Sequence, residues 1–444
     1  MAHSLSGLMK WCQREEWRDA FNETTALHLG APCAKAGVAI ENLPDLIGDD
    51  RTGVLWGCVF EDFLTRELED GSNVVDDYLK RRGWNESVPN KRYMMALRSS
   101  VISLYEVSDI VRDESFLARD LVRDGEPVRV NEKSGTYSLK QWDRIAARIV
   151  QIGSRIEMSG GALPFDYDLS ETVLDAIRHA GKKARVALDT ETLRTTAFMF
   201  IGLWLDDVLD RTLHPKLPDL CNSDGDEIVW TTASYPLKRG TDAKAVRLAL
   251  AAIPSLRPES ETFWNWIGVE RRIGKKRPAE KQTIITTLDD GSVVLGTLEM
   301  NDRALILEAN SRERAERGRT LIEPVLAGLV GQPTIESKTV AEMMASRPVG
   351  KSEELSSGLS PDEERAIIHA NMDRHYVNLL DEPVPMLGNI TPRRAAKTAK
   401  GRQKLVDWLK ALENGAAREG SGSAMAGYDL RWMWDELGIG KLRR

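Results

Sequence analysis

The 444-residue sequence predicts an α+β multidomain protein, and three observations carry that expectation. The length suits about three domains. Apolar spacing switches along the chain between the helical repeat and the alternation of strands. The dipeptides Asp124-Gly125 and Asp290-Gly291 sit between apolar runs, which is the signature of hairpin turns.

Residues 1–98 read as a helical domain. Trp11, Trp17, Phe21 and Leu27 are set among charged residues, and residues 54–68 combine helical apolar spacing with acidic outer positions. Gly83 and Pro89 punctuate its end. Residues 99–165 read as a small, curled β-barrel-like domain of the SH3 or OB type. Its expected strands cover 103–111, 116–122, 127–130 and the 142–156 stretch, with Gly160-Gly161 closing the unit.

Residues 166–280 are expected to be helical. Residues 193–213 form the most apolar helix, 215–236 are loop-rich, 243–253 are helical, and 271–278 form a basic loop. Residues 282–345 read as a β-β-α unit, with strands at 282–288, 293–300 and 304–308. Asn310 is expected to cap the following helix, with Glu313 closing the capping box. Residues 346–361 form a polar linker, and 362–444 a helical C-terminal region.

That last region holds the densest run of local signals. Pro383 and Pro385 give an extended lead-in, and Gly388-Asn389 marks a turn tolerant of left-handed backbone. Thr391 is a good N-cap, with Pro392 at the first helical position. Thr398 starts a second helix, on which Val406, Leu409 and Leu412, with Trp408 beside them, make an apolar stripe. Upstream, Ile368, Met372, Tyr376 and Leu379 share one helix face.

The net charge of −7 and pI near 5.6 argue against a general polyanion binder while allowing local basic patches. Cys12, Cys33, Cys58 and Cys221 show no paired or zinc-type spacing, so neither metal nor cofactor is expected, and a reducing cytoplasm suits them. The longest strongly apolar run, 197–205, is too short to span a bilayer, and no signal peptide is expected.

Three patterns could carry chemistry. Asp189-Thr190-Glu191-Thr192 follows an apolar run, as in the first motif of proofreading-type exonucleases, where two carboxylates hold a divalent cation. Its later His-and-Asp motif fails by one residue, because His369 and Asp373 are four apart, so a helix cap at Asp189 is the expected role. Asp206, Asp207 and Asp210 spell an aspartate-rich motif with no second copy, expected as the wet face of a buried helix. Arg312, Arg314, Arg317 and Arg319 could meet phosphate, although Glu308, Glu313 and Glu316 are interleaved. No phosphate-binding glycine loop or nucleophile-base order is visible. No catalytic residue is assigned, and the reading leans away from an enzyme.

Residues 379–415 resemble the toxin-binding domain of Xre/MbcA/ParS-type antitoxins. The matching positions are Pro383 or Pro385, Leu387-Gly388, Thr391-Pro392, Ala395-Ala396, Thr398, Gly401, Val406, Leu409 and Leu412. Arg394 stands where an acidic residue is more usual, and no DNA-binding helix-turn-helix precedes the segment. Residues 105–107, 116–121, 295–299 and 307–312 are similar to large, uncharacterised bacterial proteins, some of which carry a zinc-binding SEC-C motif whose cysteines this chain lacks.

The leading expectation is a bacterial, cytoplasmic, non-enzymatic interaction protein. It would dock a protein partner, by resemblance a toxin, through Leu387, Gly388, Thr391, Pro392 and Trp408. Nucleic-acid association through the β-domain and the Arg312–Arg319 helix is the first alternative. A metal-dependent nuclease at Asp189 and Glu191 is the second.

Overall fold

The computed structural model describes residues 3–184, 189–215, 220–268, 282–288, 290–345, 360–419, 423 and 425–443. The fold is α+β, with helices toward both ends of the chain and β-sheets between them. Two compact units divide it: Met1–Pro215 together with Ser356–Arg444, and Lys216–Leu355. Among the described residues no helix is long and apolar enough to cross a membrane.

The first unit opens with six helices: α1 (Ser6–Trp11), α2 (Glu15–Ala36), α3 (Leu43–Ile47), α4 (Asp49–Thr65), α5 (Val74–Arg82) and α6 (Val88–Arg98). Their ends obey local chemistry. Gly37, at φ 68°, ends α2 in the left-handed conformation, and the Val38 N–H reaches back to the Cys33 carbonyl. The Asn73 side chain caps α5, and Ser87 caps α6.

A closed barrel follows, built from β1 (Ile102–Val111), β2 (Ser115–Asp120), β3 (Val128–Asn131), β4 (Arg144–Ile152) and β5 (Arg155–Phe165). The strand order is β1-β2-β3-β5-β4, with β3 and β5 parallel and the other pairs antiparallel. Of the two barrel types expected, this Greek-key order is that of the OB type. Tyr105, Val107, Phe116, Ala118, Val130, Ile145 and Ala147 form a core. The intervening positions therefore point outward, and register places Arg119, Glu106 and Arg144 in one row across β2, β1 and β4.

Gly160-Gly161 does not close the barrel domain but lies inside β5. A Cβ on Gly161 would lie 2.6 Å from the Cys58 sulfur, so the glycine lets α4 approach the strand. Then come α7 (Tyr167–Ala184), α8 (Thr190–Thr195) and α9 (Ala197–Leu213). Phe200, Ile201 and Leu205 of α9 are fully buried in the core shared with α2, α4 and the barrel.

The second unit departs from expectation. It contains β6 (Leu220–Asn222), β7 (Val229–Pro236), α10 (Ala243–Leu250), β8 (Leu256–Pro258), β9 (Phe263–Gly268), β10 (Gln282–Ile284), β11 (Val293–Met300), β12 (Ala304–Ala309), α11 (Arg312–Ile322), β13 (Thr334–Thr339) and α12 (Val340–Ala345). The helix expected over 243–253 is present as α10, but the rest of the helical reading of 166–280 fails after Leu213, because β7, β8 and β9 join a six-stranded antiparallel sheet ordered β13-β7-β12-β11-β9-β8. The β-β-α stretch is therefore part of a larger sheet. The core alternation on β7 is carried by Thr231 and Ala233 as well as Val229 and Tyr235, so it lacks a strong apolar signal.

The cap of α11 is also shifted by one residue. Ser311, not Asn310, accepts the Arg314 N–H at 3.0 Å, which puts Glu313 second in the helix and leaves no box. The buried Ser311 hydroxyl also donates to Asp226 at 2.9 Å. Ser311→Ala is expected to cost about 1–2 kcal/mol, the upper range for a lost cap. Urea unfolding followed by circular dichroism measures it, and an unchanged midpoint would refute the assignment.

The first unit resumes with α13 (Pro361–Leu379), α14 (Pro392–Ala395), α15 (Ala399–Arg418) and α16 (Arg431–Glu436). Ser360 and Glu363 form a full capping box on α13. Except for Ser360 and Pro361, the linker expected over 346–361 lies outside the described residues, as does the basic loop at 271–278.

Candidate functional site

The local signals of the C-terminal region fold as their chemistry dictates. Gly388 and Asn389 adopt φ values of 81° and 58°, and the chain doubles back so that the Val384 N–H meets the Ile390 carbonyl. Thr391 caps α14 through the Arg394 N–H, and Thr398 caps α15 through the Gly401 N–H. Gly401 has a packing reason: a Cβ there would sit 2.2 Å from the Ala395 carbonyl oxygen.

The exposure expected of this segment is not found. Leu387 is 3% exposed and Trp408 6%, and Pro392 is buried. Leu387 and Trp408 belong to a core with Leu380, Leu405, Leu409, Met433 and Trp434. Gly388 is exposed and Thr391 half-buried, but both act in the turn and the cap. The aliphatic stripe of α15 is matched by the short C-terminal helix and its flanks.

Helix α13 carries a second face that is exposed. On α13, Ile368, Met372, Tyr376 and Leu379 pack inward. Ile367 and Val377 point the other way, 50% and 48% exposed, with Ala370 and Arg374 between them. The spacing of 367, 370, 374 and 377 is three, four and three residues, a single stripe on a helix.

The polar side of α15 meets the barrel, which the sequence did not reveal. The Lys410 ammonium donates to Glu106 at 2.5 Å and lies 4.2 Å from the Trp142 ring centre. Glu413 accepts from the Trp142 and Trp434 indoles and from Arg443. Asn414 and Arg418 donate to Asp143. Asp407 faces Arg144 at 4.0 Å, and Arg144 also bonds Ser170 and Glu171. Helix α15 thus lies against Glu106 and Arg144 of the outward row.

Clefts of about 740 Å³ and 990 Å³ border this seam, both lined by Glu106, Arg144, Asp407 and Lys410. Burial holds the Lys410 ammonium below its ordinary pKa, although Glu106 pulls it upward. Burial lifts the Asp407 carboxyl above the usual range against the Arg144 charge. Perturbed groups beside a cleft are the usual mark of a site. Here each charge has a partner, so the arrangement holds the helix on the barrel.

A second buried ionic cluster ties the N-terminal helices to the barrel. Asp62 on α4 accepts from His28 on α2 at 2.8 Å and from Arg148 on β4 at 2.7 Å, and Arg66 lies at 3.2 Å. Burial raises the Asp62 pKa, but the His28 bond and the Arg148 charge outweigh it and hold the carboxyl at about 2.

The alternative sites separate in the structure. Asp189 caps α8, accepting the Thr192 N–H at 2.9 Å, and exposed Glu191 pairs with Arg194. Among the described residues no three His, Cys, Asp or Glu side chains are grouped to hold a metal ion. Asp206, Asp207 and Asp210 meet Lys35, Arg211 and His214. Arg314 is 1% exposed, bonded to Asp224, Ser223 and Asn310, and Arg317 shares Asp224. Arg319 pairs with Glu316 and Glu323. Only Arg312 and Arg317 face the shallow hollow on this helix, beside Glu313 and Glu316. The four cysteines are buried, and burial pushes the Cys12 thiol up to about 12.

Residues 58–200 match a family of unknown function, DUF7986. The stretch runs from α4 through the barrel into α9 and contains Asp62, Glu106 and Arg148. No curated protein matches the chain.

Proposed function

We propose that the chain is a cytoplasmic, non-enzymatic interaction protein that docks a protein partner through the outward face of α13. The observation that supports this is the two-sidedness of that helix. A helix seated on one core needs one apolar stripe. This one has a second, Ile367, Ala370 and Val377, at the spacing with which helices seat in a partner's groove. Arg374 within the stripe favours an acidic residue on the partner. The resemblance of the neighbouring segment to toxin-binding domains suggests a toxin as the class of partner. In this reading Leu387, Pro392 and Trp408 hold α13 in place and do not touch the partner.

Ile367→Asp combined with Val377→Asp is expected to abolish co-purification of a partner identified by mass spectrometry with the unaltered chain. Both side chains are half exposed, so the melting temperature should stay within about 2 °C, as for surface changes generally. Undiminished recovery of the same partner would refute the assignment.

A further inference from the structure

On α11, Arg314, Arg317 and Arg319 are paired with carboxylates, and a further cationic stretch lies elsewhere in the chain. Between positions 80 and 92 stand Lys80, Arg81, Arg82, Lys91 and Arg92 against one acid, Glu86. Arg81 pairs with Asp77. Among the described residues the other four cations have no carboxylate within ion-pair distance, in a protein of net charge −7. At the centre is Trp84, 75% exposed, on the single helical turn Gly83–Asn85 between α5 and α6.

That turn is held firmly. Glu86 accepts from the Tyr78 hydroxyl at 2.5 Å and from Asn90 at 3.0 Å, and Gly83 is buried. Beneath it, Tyr78, Tyr93, Met94 and Leu97 pack in one core with Val150 of the barrel. A large indole is thus offered to solvent on a fixed mount, with unpaired cations on both sides of it in the sequence.

We infer that this corner binds single-stranded nucleic acid, with a base stacked on Trp84 and phosphates on Arg82, Lys91 and Arg92. Every base has a π-face, so an exposed indole grips single strands with little regard to sequence. A duplex hides those faces. A lipid surface fits less well, because an inserting face keeps its apolar residues together. Here Arg92 falls between Val88 and Met95 on the same stripe of α6, and these are 59% and 61% exposed. Alternation of apolar and cationic groups suits a strand that alternates bases and phosphates.

The test is fluorescence anisotropy of the full chain with a labelled oligothymidylate of about 15 nucleotides, within the site sizes of such proteins. Saturable binding is expected, with log K falling against log salt with a slope of about −2, for three neutralised phosphates. Trp84→Ala should weaken it roughly 5- to 150-fold, the range for loss of one stacked base. Arg82→Gln, Lys91→Gln and Arg92→Gln together should flatten the slope by about 2. Arg312→Gln on α11 should change nothing. No binding, binding indifferent to Trp84→Ala, equal affinity for duplex, or sedimentation with phosphatidylserine–phosphatidylcholine vesicles in place of an oligonucleotide signal would each overturn the inference. Since α13 is not involved, Ile367→Asp with Val377→Asp should leave this binding intact.

Discussion

Asp62→Ala is expected to destabilise the first unit by about 3–5 kcal/mol, the cost of leaving buried charges without their counterion. Arg148 is 2% exposed and would keep only its bonds to Ser100, and His28 would lose its hydrogen-bonded carboxylate. At about 2 °C per kcal/mol for a large domain, melting should fall by roughly 6–10 °C. Replacing the pair with apolar residues, Asp62→Leu with Arg148→Met, should recover part of the loss, since paired burial gains little over good packing. An Asp62→Ala melt within 1–2 °C of the unaltered chain would refute the account.

The same group predicts a pH dependence. The Asp62 pKa is held at about 2 in the folded state, against about 3.9 when unfolded. A depressed carboxylate stabilises fully above the unfolded value, and the contribution is lost as pH falls through the folded one. Neighbouring Glu61 has the opposite sign, since burial raises its pKa despite its bond from Ser159. The difference between the unaltered chain and Asp62→Asn isolates the first effect. It should be greatest above about pH 5 and shrink toward pH 2.

The second large effect concerns the seam under α15 and is asymmetric. Glu106→Gln takes from Lys410, 6% exposed and close to Arg119, the carboxylate that accepts its hydrogen bond, and is expected to cost about 3–5 kcal/mol of α15 docking. Lys410→Met should cost far less. Glu106 would still have arginines on both cross-strand sides, and the lysine's lowered pKa shows that its burial is incompletely offset. Hydrogen exchange over residues 399–418 reads the difference. Equal protection in the two variants would overturn the argument.

How much of this was legible depended on whether the signal was local. Gly388-Asn389, Thr391-Pro392 and Thr398 behave as read because turns and caps are decided by a few neighbouring atoms. The barrel strands were visible through alternation. The strand Val229–Pro236 was not, since threonine, alanine and serine carry much of its pattern. Ser311 and Asn310 are both good caps, and only geometry separates them. Asp62, Glu106, Arg148 and Lys410 could not be found from spacing, because a charged residue reads as solvent-facing until its distant partner is known. The destination of the α15 stripe was missed for a related reason: Met433 and Trp434 lie in a six-residue helix too short to declare a face.

The Lys410–Glu106 contact joins residues 304 positions apart. At about 5–20 residues per second, a ribosome needs roughly 15–60 s to travel from one to the other. Through that interval the barrel is finished on the nascent chain while its cationic and anionic row stays wet, and the whole intervening second unit emerges first. The row's polarity is what makes the wait tolerable: an apolar face left open that long would invite aggregation. The late-arriving helix then closes on a surface that water has kept soluble, and the order of synthesis gives a reason for charge at a position where packing alone would favour leucine.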